Sequence, residues 1–215
     1  MFKFAVVAMI SGLLGAGAAA EPQLPPGHPS PGGLPAGHPQ PSGMPPGHPN
    51  VMQHENADVP EPPDARPEDV ATIDGIIAAY YASLSGPKGQ ARDWDRLRSI
   101  FQPLAGLVAA RPLPDGRTGM WVMKLEEYIA FNKAVMEKGG YFEKEVYRET
   151  LEFGNMAHVW STYEARRVAE DPKPYSRGIY SFQLLKDGPR WWIVNVFWDH
   201  ERIDAPIPSE FLPGS

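Results

Sequence analysis

The chain has no cysteine. That excludes disulfides, thiolate zinc sites, a cysteine nucleophile and a lipid-modified cysteine, so the folded part must be held by its core alone. Long apolar runs are also scarce. One extends from Phe4 to Leu14, too short for the roughly 30 Å hydrocarbon core of a bilayer, and no later segment reaches spanning length. An excess of basic residues is missing too. Lys and Arg number 20 against 26 Asp and Glu, a formal net charge of −6. Such a mixed, mildly acidic chain gives no support for a nucleic-acid partner or a basic membrane-surface helix.

What is present begins with MFKFAVVAMISGLLGAGAAA. A single early charge, Lys3, precedes the apolar run, and Ala18-Ala19-Ala20 stands before Glu21. This is the layout of a secretory signal peptide, so residues 1–20 are expected to be removed on export. The mature chain is then a periplasmic or secreted protein with no membrane attachment, and loss of Lys3 takes its charge to −7.

Residues 21–66 contain no aromatic residue, and fifteen of the 25 prolines fall from Glu21 to Pro67 inclusive. Proline fixes φ and removes a donor, so a disordered linker with polyproline II character is expected. Within it Gly-His-Pro recurs every ten residues, at His28, His38 and His48, with His54 following. Two readings are open. Ten residues of polyproline II cover about 31 Å and rotate successive imidazoles by about 120°, which describes a semi-rigid spacer. The interspersed glycines could instead let the segment fold back and hold copper or zinc weakly through the four histidines.

From residue 67 the pattern becomes that of one domain, with all six Trp among its residues. PEDVATIDGIIAAYYASLSG places Val70, Ile73, Ile77, Tyr80 and Leu84 on one helical face, with Pro67 at its start and Gly86-Pro87 beyond its end. DWDRLRSIF, capped by Asp93, predicts a second, short helix, and KLEEYIAFNKAVMEKGG a third. GLVAARPLPDGRTGMWVM reads as two extended pieces around a turn. After Gly140 the period falls to two. YFEKEVYRETLEF, NMAHVWSTYEARRV, GIYSFQLLK and RWWIVNVFWDH predict four strands in an antiparallel meander. Helices first and strands afterwards predict an α+β fold. Residues 204–215 form a C-terminal tail.

This order of elements, with DWDRL, AHVWSTYEAR, RGIYSFQLLKDGPRWWIVNVFWDHE and PIPSEFL, resembles the nuclear transport factor 2-like superfamily, in particular its polyketide-cyclase (SnoaL)-like and ketosteroid-isomerase-like bacterial members. The resemblance covers residues 67–203. It implies a cystatin-like roll, a cone-shaped curved antiparallel sheet covered by three N-terminal helices, and often a homodimer packed through the sheet. It also implies a pocket, in a fold that hosts cyclases, isomerases, dehydratases and non-enzymes alike.

Isomerases of this kind use a carboxylate base, a tyrosine and a protonated acid. Tyr80 falls where the tyrosine is expected. The base is expected in GLVAARP, which offers Ala109, Ala110 and Arg111 but no acid, and the second acid near Tyr180. Two of the three roles are therefore vacant. Other acid–base candidates are His158, Asp199, His200 and Glu201. Met156, His158, Trp160 and Thr162 share one face of their strand, and the alternate residues share the other. Arg166 and Arg167 stand where they could meet an acidic ligand or face solvent. Tyr80, Trp121, Tyr128, Trp160, Phe182, Trp192 and Trp198 suffice to line an apolar cavity or to pack a core. The leading expectation is an exported domain that binds a small apolar molecule without cofactor. The alternatives are an acid–base enzyme of the cyclase, isomerase or dehydratase type and a metal-binding tether.

Overall fold

A computed structural model describes residues 60–113 and 115–214. The signal peptide expected over residues 1–20 and the repeats carrying His28, His38, His48 and His54 lie outside the described residues. Residues 60–66 carry no regular structure.

The predicted first helix is two helices, α1 (Pro67–Val70) and α2 (Ile73–Leu84). The break falls at Thr72, which takes an extended backbone, φ −135° and ψ 160°, while its side chain accepts a hydrogen bond from the Gly75 amide at 2.9 Å. A capping threonine competes with helix continuation, and here it wins. Gly75 lets the two helices approach, since a Cβ there would lie 2.3 Å from the Glu68 carbonyl oxygen. Helix α3 (Trp94–Ile100) is capped by Asp93, whose carboxylate accepts from the Arg96 amide. Phe101, expected at the end of this helix, instead opens strand β1 (Phe101–Pro112). Strand β2 (Thr118–Met123) and helix α4 (Leu125–Gly139) follow.

The four predicted strands are β3 (Phe142–Phe153), β4 (Met156–Arg166), β5 (Ser176–Asp187) and β6 (Arg190–His200). They form the expected meander within a six-stranded sheet ordered β2-β1-β6-β5-β4-β3. Every pairing is antiparallel except β1 with β6, which is parallel. Register shifts between Glu145 and Tyr147 and between Gln183 and Leu184 add bulges that bend the sheet, which curves without closing. The architecture is α+β.

Strand β4 settles which face is inner. Ala157, Val159, Ser161, Tyr163 and Ala165 are all buried, and His158 and Trp160 lie on the opposite, outer face. The C-terminal tail folds onto that outer face. The Thr162 hydroxyl donates to the Phe211 carbonyl at 2.7 Å, and the Phe211 ring packs 5.6 Å from that of Trp160. On the inner side Tyr80, Ile77, Leu97, Ile100, Phe182 and Ile193 form a solid core. It fills the end of the roll nearer α2 and α3.

One buried cation fixes the far end. Arg92 is 5% exposed, and its guanidinium donates to the carbonyls of Leu84, Gly86, Pro87, Gln90 and Met136 at 2.6–3.3 Å. It thereby ties the end of α2 and the following loop to the C-terminal part of α4. Replacing it with methionine keeps the stem but strands those carbonyls. Arg92→Met is expected to lose roughly 2–4 kcal/mol of unfolding free energy in chemical denaturation. A loss below about 0.5 kcal/mol would show that α4 is held by other contacts.

Candidate functional site

The sheet register brings several strand ends to one place. Ala109 stands beside Trp198, His200 beside Gly178, Gly178 beside Tyr163, and Ala165 beside Glu143. Helix α4 lies over this end. Between them is a cleft of about 510 Å³, within the range of small-molecule sites.

Its walls are rich in aromatic residues. Trp121 of β2 meets Phe131 of α4 edge-to-face at 4.5 Å, and Tyr128 meets Trp198 in the same way at 6.1 Å. Tyr141, Tyr163, Tyr175 and Tyr180 supply phenols from the strand side. Burial, reinforced by the Glu143 charge, pushes the Tyr141, Tyr163 and Tyr180 hydroxyls well above their usual pKa. They therefore stay protonated and can act as donors.

Behind Tyr141 and Tyr180 lies Glu143, 5% exposed. Its carboxylate accepts from the Tyr141 hydroxyl at 2.5 Å and from the Tyr180 hydroxyl at 3.1 and 3.2 Å. No ion pair to it is formed among the described residues. Burial pushes its pKa up to about 7, against the lowering effect of the two tyrosine hydrogen bonds. Glu145, farther along the strand, has a different setting. It accepts from Arg148 at 2.6 Å and from Ser161, which also meets the Tyr81 hydroxyl at 2.7 Å.

At the mouth, Tyr163 and His200 Nδ1 are 2.6 Å apart. With the phenol donating, a neutral imidazole carries its hydrogen on Nε2. Burial lowers the pKa of His200 and outweighs the neighbouring Asp199 charge, which favours that neutral form. Gly178 makes the contact possible. A Cβ there would lie 2.5 Å from the Tyr163 hydroxyl and 2.3 Å from the Asp199 carbonyl oxygen.

Of the aromatic residues expected to line a cavity, Trp121, Tyr128 and Trp198 do line this cleft. Tyr80 and Phe182 are fully buried in the core beneath it, their rings 4.9 Å apart. The Tyr80 hydroxyl is in no well-formed hydrogen bond. Trp160 stands on the outer face under Phe211, and Trp192 lies under the Arg190 guanidinium, 3.2 Å from its ring centre. His158 is likewise on the outer face, with Nε2 2.8 Å from the Ser181 hydroxyl. Asp199 accepts from Arg202 at 2.5 Å, and Glu201 pairs with Arg177 at 3.4 Å. Sequence reasoning missed Glu143. Its signal was present, because strand alternation puts it on the same face as Tyr141. Among the described residues no group of three or more His, Asp or Glu could hold a metal ion.

No family model and no curated protein matches the sequence. Solved structures similar to it include a cystatin-like-fold protein from Nostoc punctiforme, at 15% identity over 61% of this chain and 90% of that one, TM-score 0.46. Others are nuclear transport factor 2-like proteins from Shewanella baltica (14%, 60% and 91%, TM-score 0.43) and Silicibacter pomeroyi (17%, 61% and 94%, TM-score 0.42). All three are proteins of unknown function.

The Glu143 environment fixes the sign of a pH effect. Its folded pKa, about 7, lies above the ordinary glutamate value of 4.5, so the folded state binds the proton more tightly. Its contribution is fully present below about pH 4.5 and is lost as pH rises through 7. Glu143→Gln is expected to remove a loss of roughly 2–3 kcal/mol between pH 5 and 8, read as the difference between wild-type and variant denaturation curves. Parallel pH profiles would show that the carboxyl titrates normally.

Proposed function

We propose that the domain binds a small, largely apolar molecule in the cleft under α4. The observation that carries this reading is the pairing of an aromatic wall with phenol groups converging from β4, β5 and the segments just before β3 and β5. Trp121, Phe131 and Trp198 offer flat apolar area at low entropic cost, and the hydroxyls orient one polar end. The first twenty residues support a further reading, that the chain is exported to the periplasm or beyond. A second copy packed through the outer sheet face is the assembly proposed with it. Leu151, Phe153, Met156 and Phe197 are exposed on strands of that sheet.

A second reading has its own support. A carboxyl that titrates near 7 behind two phenols suits acid–base chemistry, as cyclases, isomerases and dehydratases require. Glu143 would act through Tyr141 or Tyr180, because both tyrosines line the cleft and Glu143 itself does not.

Native mass spectrometry of the purified chain tests the first reading. A non-covalently retained small molecule is expected in wild type, and it should fall to under about a tenth in Ala109→Trp, which fills the cleft. No retained molecule, or equal retention by the filled variant, contradicts the proposal. Glu143→Gln separates the two readings. Simple binding predicts the same retained species, whereas catalysis predicts that the variant accumulates a different one.

A further inference from the structure

Taking the cleft as the binding site, we propose that its ligand is an apolar molecule with an anionic head group, a carboxylate by chemical class, held at the mouth by Arg111 and Arg167. The cleft is lined by both arginines and by His200, and by no Asp or Glu. In a chain of net charge −6 this is a local reversal of sign.

The reversal follows from how the other charges at this end are used. Glu164 accepts from Arg166 at 2.7 Å and lies 4.0 Å from Arg177; Glu201 pairs with Arg177, and Asp199 with Arg202. Those carboxylates are committed away from the cleft. Arg96, Arg98 and Arg148 likewise bond carboxylates. Arg111 and Arg167 form no ion pair among the described residues. The Arg167 guanidinium lies 4.3 Å from the centre of the Tyr175 ring and makes one long contact, 3.5 Å, to the Gly140 carbonyl. That stacking holds its plane while leaving N–H groups free.

The hydroxyl hydrogens of Tyr141, Tyr163 and Tyr180 are already used on Glu143 and His200, so the two guanidinium groups are the main uncommitted donors of the cleft. A planar carboxylate matches a guanidinium fork in a way that an alcohol or amide does not. The apolar body would then lie inward against Trp121, Phe131 and Trp198.

The test uses a matched pair of probes on the full chain, 2-naphthoate and its neutral isostere 2-naphthamide, followed by calorimetry at low ionic strength. Naphthoate is expected to bind about tenfold more tightly, with the preference shrinking as salt is raised. Arg111→Gln and Arg167→Gln should each reduce that preference at least about threefold while leaving naphthamide affinity unchanged. Arg111 has no side-chain hydrogen bond or ion pair among the described residues, so its variant is expected to keep the wild-type melting temperature. Equal affinity for the two probes, or a preference that survives both substitutions, overturns the head-group proposal and leaves the cleft as a neutral binding site. Failure of both probes to bind at millimolar concentration overturns the cleft reading as well.

Discussion

A carboxyl group buried without a cation is the constraint around which this end of the fold is arranged. Glu143 loses its hydration to the core, and only the hydroxyls of Tyr141 and Tyr180 replace it. Taking a carboxylate out of water costs several kcal/mol unless hydrogen bonds or counter-charges compensate. The protein uses phenols and a raised pKa instead of an ion pair. Glu145 shows the alternative on the same strand, where Arg148 supplies the charge and links it to Asp74 near the surface. Two similar side chains thus have opposite settings, and only the unpaired one lies behind the cleft.

That arrangement has consequences for what the cleft can recognise. Phenols that donate inward to Glu143 and sideways to His200 are oriented before any ligand arrives. Preorganised side chains recognise a ligand without further ordering cost. The aromatic wall depends on α4, and α4 depends on Arg92 and the carbonyls it gathers. Stability and recognition are therefore coupled through a few buried polar side chains, while the apolar core under α2 and α3 is closed to ligands.

Much of this was legible in the sequence, and the rest was hidden for physical reasons. The run RWWIVNVFWDH is strand β6 to the residue, because β-branched and aromatic residues bounded by turns leave little choice. The periodicity predicts one long first helix, but at Thr72 a local cap outweighs it. Alternation grouped His158 with Trp160 correctly, yet only the sheet shows that this face is outer and covered in part by Phe211. Trp192 was equally ambiguous, since an aromatic on a strand fits either face. Glu143 was passed over because a charged residue in FEKEV reads as solvent-facing unless its tyrosine partners, one of them 37 residues away, are known. The sequence leaves Arg166 and Arg167 alike, able to meet an acidic ligand or to face solvent. What the sequence could not show was that Arg166 is occupied by Glu164 while Arg167 is not.

The central claim is that Glu143 takes up its proton near pH 7 because the fold gives it phenols and no cation. Its titration can be followed directly by carbon NMR of protein labelled at glutamate side-chain carboxyls, with Glu143→Gln to assign the resonance. The account predicts one carboxyl with a midpoint near 7, set apart from all the others and absent in the variant. A Glu143 resonance that titrates with the exposed glutamates, near 4.5, would contradict it.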